Sequence, residues 1–170
     1  LENAEKVAEW GNIQYVRAED KAAVTTVTFE ADANDAEKVA AVAAAIAAAE
    51  KEGATSVYLT IPGEFTIGAS DTTTFAEGET TVWQAYGITF SADSSVKKIV
   101  LDLDGNKLTF AGTKVDEKTE AKVGATYKIT GEGSVIFSNG TIEFTEFTED
   151  QNTFAFNAYK TELVFDHIKA

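Results

Sequence analysis

Apolar and polar residues follow one spacing before about residue 55 and another after it. Between residues 35 and 52, Val39, Val42 and Ile46 stand three and four positions apart among nine alanines. That spacing places them on one face of a helix. From residue 56 onward, apolar residues instead alternate with polar ones in short runs. The pattern therefore predicts one helix followed by a succession of strands.

Local signals set the ends of the predicted helix. Asn34 stands three residues before Glu37, as in a capping box, and Gly53 follows where a helix is expected to stop. Before the helix, residues 3–10 are predicted to form a short helix, and the alternation over 24–29 predicts a strand.

The alternating runs predict strands of three to five residues. They are 57–61, 65–67, 81–83, 88–90, 99–103, 107–110, 126–129, 135–137, 141–144, 154–156 and 163–165. Two segments, 69–79 and 112–122, lack strong alternation and are predicted to be loops or excursions from the repeats.

The strand-rich part of the chain repeats itself. Residues 101–110 (LDLDGNKLTF) align without a gap with 135–144 (VIFSNGTIEF), and shorter copies lie at 59–67 and 163–168. The first residues of successive copies are 42, 34 and 28 positions apart. Repeats of this length, each a pair of short strands around a bend, are typical of a solenoid. A β-sandwich with similar hairpins is the alternative.

The repeat resembles a known class of protein. After the predicted helix, residues 53–67 (GATSVYLTIPGEFTI) resemble the N-terminal cap and first coil of right-handed parallel β-helix proteins of the pectin-lyase-like class. Residues 99–110, 123–129 and 131–142 are similar to coils of large bacterial surface proteins. The resemblance, which covers about residues 35–170, implies an all-β solenoid: a right-handed parallel β-helix with an N-terminal α-helical cap.

The resemblance also implies a domain organisation and a role. We expect a single β-helix domain over 1–170, with an N-terminal strand and helical cap in 1–55 and coils in 56–170. The implied function is a non-catalytic structural or adhesive module of a bacterial surface protein, extracellular or on the cell surface. The expected partner is a glycan or a host surface protein. The alternative is a carbohydrate-active enzyme, or a glycan-binding module, on acidic or neutral polysaccharide.

Composition narrows the function classes. The 170 residues include 28 acidic and 14 basic side chains, a net charge of −14, which argues against a nucleic-acid partner. No apolar run reaches the roughly 18 residues of a membrane span, so no membrane span is expected. The chain has no cysteine, which excludes disulfides, a thiolate nucleophile and sulfur-ligated metals. No cofactor is predicted.

Enzymes of the resembled class share features that this sequence lacks. Lyases of this shape resemble one another in using calcium held by carboxylates and an arginine or lysine base. The hydrolases are similar in carrying close aspartates, a histidine and an Arg-x-Lys element. Here Arg17, the sole arginine, precedes the predicted coils, and no such element is intact. The comparison favours a non-catalytic role.

Four residues are candidates for ligand contact. Asp102 and Asp104 are two positions apart, which predicts that they project from one outward strand face, and Asp166 is expected to stack two coils away. Such carboxylates suit a cation or an acid–base pair, although a solvated face is the favoured interpretation. Trp83 suits stacking on a sugar, with core or coil-edge packing favoured. His167, the only histidine, is not expected to form a Ser–His–Asp triad with its neighbour Asp166.

The C-terminal coil lacks a predicted cover. Residues 163–170 include the apolar Leu163 and Phe165, and no helix or proline is predicted there to cover or interrupt the strand edge. Solenoids usually cover such ends. We therefore expect either that the chain is cut from a longer solenoid or that this coil self-associates with another copy.

Overall fold

The computed structural model describes residues 4–9, 13–17, 20–67, 87–90, 93–111, 113–115, 122–124, 127–145 and 156–170. Within these ranges the chain forms one helix, α1 (Asp35–Lys51), and twelve strands. The strands are β1 (Ala4–Glu9), β2 (Ile13–Arg17), β3 (Ala22–Thr26), β4 (Ser56–Thr60), β5 (Phe65–Ile67), β6 (Gly87–Phe90), β7 (Lys98–Asp102), β8 (Lys107–Ala111), β9 (Thr113–Val115), β10 (Lys122–Gly124), β11 (Tyr127–Thr145) and β12 (Phe156–Lys169).

Eight strands form one sheet, in which every pairing between described strands is parallel. Its order is β3-β4-β7-β11-β8-β5, and β6 and β12 also pair with β11. The strands that a sandwich would join as hairpins do not pair with each other, because β4 pairs with β7 and β5 pairs with β8. Each strand thus lies beside its counterpart in the next repeat, an arrangement compatible with a β-solenoid and unlike the hairpin alternative.

The long strand β11 connects three parallel ladders. Its residues 134–138 pair with β7, residues 141–145 with β8 and residues 128–131 with β6. We call these the first, second and third ladders. The backbone turns between them at Gly131 and Asn139, which have φ values of 97° and 55°. The prediction of separate short strands here is wrong, because the corners bend the chain without ending its pairing.

The first ladder contains five strands in register. One row of facing residues is Ala23, Val57, Ile99, Val135 and Leu163, and another is Thr25, Leu59, Leu101, Phe137 and Phe165. The middle members of both rows are buried in one hydrophobic cluster, together with the second-ladder residues Phe65, Leu108 and Ile142. Burial of each large apolar side chain contributes about 1.5–3 kcal/mol, so these rows form the core.

The register corrects the predicted repeat alignment. Leu101 faces Phe137, 36 positions on, whereas Leu108 faces Ile142 at the predicted offset of 34. The bend after β7 therefore holds two more residues than the bend within β11. The other two offsets are confirmed, since Leu59 faces Leu101 and Val135 faces Leu163.

Helix α1 follows its sequence signals closely. The Asn34 side chain accepts a hydrogen bond from the Glu37 amide at 3.0 Å, and the Glu37 carboxylate accepts one from the Asn34 amide at 2.8 Å. This confirms the capping box. At the other end Gly53 adopts φ 76°, the left-handed conformation that favours glycine after a helix.

The helix is tied to the first repeat by side chains at its N-terminus. Asp35 accepts a hydrogen bond from the Thr66 amide of β5 at 3.0 Å, and Lys38 donates one to the Glu64 carbonyl at 3.0 Å. Its buried residues, Val42 and Ala49, join the hydrophobic cluster. The helix thus supplies partners to polar groups of β5, a strand at the end of the sheet order.

Several N-terminal and loop predictions need correction. Residues 3–10 were expected to be helical, but 4–9 form β1, antiparallel to β2, because pairing with a neighbour outweighs the weak local helix preference. The segment 112–122 is predicted to be a loop or an excursion, and it contributes β9, which pairs antiparallel with β10 in a separate two-stranded sheet. The predicted loop 69–79 and strand 81–83 lie outside the described residues.

Candidate functional site

A row of polar residues crosses the first ladder at its downstream end. Thr60, Asp102, Ser138 and Asp166 face one another in register on successive strands. Asp166 therefore stacks two strands from Asp102, as predicted, with Ser138 between them. At about 4.8 Å per strand, the two aspartate backbones are about 10 Å apart. This row is the candidate site.

Asp102 is buried rather than solvated. It is 4% exposed, and its Oδ1 accepts hydrogen bonds from the Asp104 amide at 3.0 Å and from the Asn139 side-chain amide at 3.2 Å. The expected solvated face is wrong for this residue, because Asn139 of the next repeat closes over its carboxylate. Asp102 therefore has a structural role, because its carboxylate connects the bend after β7 with the bend at Asn139.

Asp104 does not share a strand face with Asp102. Strand β7 ends at Asp102, and Asp104 lies in the following bend, exposed and with φ 48°. The prediction that both project from one strand face is therefore wrong. Aspartate tolerates this left-handed conformation better than most residues, so the bend accounts for its presence. The arrangement does not form an acid–base pair of two facing carboxylates.

Ser138 and Asp166 complete the row with different surroundings. Ser138 is 5% exposed and its Oγ has no hydrogen-bond partner, so it has no base to activate it as a nucleophile. Asp166 is exposed and its Oδ1 lies 2.7 Å from Nδ1 of His167, which is also exposed. In the described part of the chain, no group of three or more His, Cys, Asp or Glu residues is placed to hold a metal ion.

Replacing Asp102 with alanine is expected to lower the free energy of unfolding by about 2 kcal/mol, because the Asp104 amide and the Asn139 side-chain amide lose their shared, buried acceptor. The matched change Asp166→Ala, in the same row but exposed, is expected to cost less than about 0.5 kcal/mol. Urea unfolding followed by circular dichroism measures both. Equal losses for the two variants would contradict the structural role assigned to Asp102.

Trp83, the residue predicted to suit stacking on a sugar, lies outside the described residues. An exposed aromatic that the sequence did not single out is Tyr159 on β12, 63% exposed, with the Lys160 ammonium 5.7 Å from its ring centre. The sequence pattern missed it because residues 157–162 were read as a connection between strands. The only sequence signal at this position is that the residue is aromatic, and this does not distinguish a core ring from an exposed one.

A cavity with both apolar and polar lining lies between α1 and β3. Its volume is about 610 Å³, within the range of ligand pockets. Among its lining residues are Ala41, Ala45 and Ala48 of the helix, and Thr25 and Leu59 of the first ladder. Alanine side chains end at Cβ, so this helix face leaves space that larger side chains would fill. The sequence predicted the helix but not the space beside it.

The opposite end of the sheet exposes aromatic rings. Phe165 on β12 stacks on Phe137 with ring centres 5.7 Å apart and is 46% exposed. Phe144 on β11 stacks on Phe110 at 5.6 Å and is also exposed. Among the described strands, β12 pairs only with β11. Within the described residues, no strand lies on its other edge.

One ion pair on the surface changes the pKa of a lysine. Lys107 lies 3.1 Å from the Glu143 carboxylate across the second ladder. The hydrogen bond to Glu143 and the charge of that carboxylate raise the pKa of Lys107 above its ordinary value. Both side chains are exposed, so the pair adds charge neutralisation at the surface rather than a reactive group.

Comparisons with known proteins add no assignment. No protein-family model, curated protein or solved structure matches this chain. The likeness to pectin-lyase-like β-helices therefore stays a prediction. In the described part of the chain, no helix is long and apolar enough to cross a membrane.

Proposed function

We propose that this chain is a non-catalytic, extracellular structural or adhesive module of a bacterial surface protein, built as a right-handed parallel β-helix. The observation that carries the proposal is the first ladder, in which β3, β4, β7, β11 and β12 lie parallel and in register. Such a stack buries apolar rows from successive repeats along its whole length, which suits an elongated, rigid spacer or display surface.

Helix α1 is proposed as the N-terminal cap. Its bonds from Asp35 and Lys38 to the backbone near β5 support this assignment, since an end strand needs partners for its polar groups. The division into a cap region, 1–55, and coils, 56–170, belongs to the same proposal.

The surroundings of the candidate residues favour the non-catalytic role over the carbohydrate-active enzyme. Asp102 is buried under Asn139, Asp104 belongs to a bend, and Asp166 pairs with His167 at the surface. Arg17 belongs to β2, which pairs with β1 rather than with the parallel sheet. A lyase or hydrolase would require these groups to converge on one open face.

The proposed role is tested by assaying reducing ends and unsaturated products on a panel of acidic and neutral polysaccharides. We expect no turnover by the chain, and binding without turnover wherever a glycan array shows a signal. Asp104→Ala is the matched variant, because Asp104 is exposed and its loss should leave the core intact. Turnover by the unaltered chain that this variant abolishes would establish the enzyme and overturn the proposal.

A further inference from the structure

The two outer strands of the first ladder run in the same direction. Strands β3 and β12 are its two outer strands, and each pairs on one side only among the described residues. All five strands run parallel. A second copy placed head-to-tail would therefore bring β12 of one molecule beside β3 of the next. The two strands would run parallel, as do all the pairs inside the ladder.

One row of facing residues ends differently at the two edges of the ladder. At the β12 end, Phe165 closes the row that runs through Leu59 and Phe137, and its ring is 46% exposed. At the β3 end, the same row begins with Thr25, which lines the cavity of about 610 Å³ together with Leu59. A half-exposed aromatic ring and a cavity thus lie at the two ends of one row of the first ladder.

We propose that copies of this chain associate head-to-tail, with β12 of one copy pairing with β3 of the next and Phe165 entering the cavity between α1 and β3. The proposal rests on the proposed coiled architecture and names a second copy as the partner of such a module. The contact uses two different surfaces, so it is heterologous. Contacts of this kind do not close into a dimer and instead propagate into open chains unless a rotation forms a ring.

Charge gives the contact a characteristic salt dependence. Each copy carries a net charge of −14, so two copies repel each other over roughly a Debye length, which salt shortens. The contact itself is apolar and made of backbone hydrogen bonds. Association is therefore expected to strengthen as sodium chloride is raised from about 20 mM to about 500 mM.

The experiment is sedimentation velocity on the full chain and on three variants, at concentrations up to about 1 mM and at both salt concentrations. Phe165→Asp alters the β12 end and Thr25→Lys alters the β3 end. Thr109→Asp is the control, because it adds the same charge as Phe165→Asp at the middle of the second ladder, facing Thr66 and Glu143. Circular dichroism and urea midpoints verify that each variant folds.

The unaltered chain and Thr109→Asp are expected to form concentration-dependent oligomers beyond the dimer. Phe165→Asp and Thr25→Lys are each expected to weaken association by about 30-fold or more, as for an aromatic hot spot. An equimolar mixture of these two variants should form a heterodimer, because each retains one intact end.

Three results would overturn the head-to-tail contact. They are a monomeric unaltered chain at both salt concentrations, unchanged association of Phe165→Asp, or association of Thr25→Lys alone into a dimer through two β12 edges. A monomer whose crystal structure shows parallel right-handed coils would leave the proposed function standing. Left-handed or uncoiled strands would overturn that function whatever the association state.

Discussion

Replacing Phe110 with alanine is expected to lower the free energy of unfolding by about 4 kcal/mol. Phe110 is 1% exposed, lies edge-to-face with Phe137 at 6.1 Å, and stacks on Phe144 at 5.6 Å. It faces Ile67 and Phe144 in the second ladder while contacting the first. Its removal would open a cavity touched by successive repeats, which the stacked backbone cannot collapse to fill.

The matched change is Phe144→Ala in the same row. Phe144 is 41% exposed, so less apolar surface returns to water and no enclosed cavity forms. The expected loss is about 1 kcal/mol. Urea unfolding of both variants, followed by circular dichroism, gives the comparison. If Phe110→Ala costs no more than Phe144→Ala, the ring does not occupy the core between the two ladders.

Replacing Gly140 with alanine is expected to cost about 3 kcal/mol. A Cβ at this position would lie 2.5 Å from Cβ of Leu103 and 2.6 Å from the carbonyl oxygen of Asn106. Neither atom is the end of a flexible side chain, so the bend after β7 would have to shift. The shift would strain the hydrogen bonds between these bends, including the one from the Thr141 amide to the Asn106 carbonyl at 3.0 Å.

Gly105→Ala separates close packing from backbone conformation. Gly105 has φ 82° but nothing within 4 Å of an added Cβ, so the expected cost is the left-handed penalty of about 1 kcal/mol. Thermal and urea unfolding measure both variants. A Gly105→Ala loss as large as that of Gly140→Ala would show that the contact between bends is not what requires glycine at position 140.

The candidate site shows where sequence reasoning stops. The two-residue spacing of Asp102 and Asp104 is that of one strand face, but the strand ends between them. The predicted strand 99–103 also stops before Asp104, yet the spacing suggested a shared face because Leu103 continues the apolar alternation and is itself buried. The burial of Asp102 depends on Asn139, which lies 37 residues further along the chain. No local window contains both residues.

Local chemistry was sufficient where the deciding residues are neighbours in the chain. The capping box of Asn34 and Glu37 and the stop at Gly53 follow from interactions within a few residues. The apolar repeats likewise predicted which residues form the core, because a period of two assigns alternate side chains to one face. These features belong to the sequence by itself.

Only the tertiary structure decided the register, the bends and the ends. The step of 36 between Leu101 and Phe137, beside 34 in the second ladder, arises because successive bends differ by two residues. Residues 4–9 became a strand through pairing with β2. The cavity beside α1 exists because the small side chains on one face of the helix do not fill the space between α1 and β3. Each outcome depends on segments that meet only after folding, since pairing and packing are chosen between distant residues by the total area they bury and the hydrogen bonds they complete.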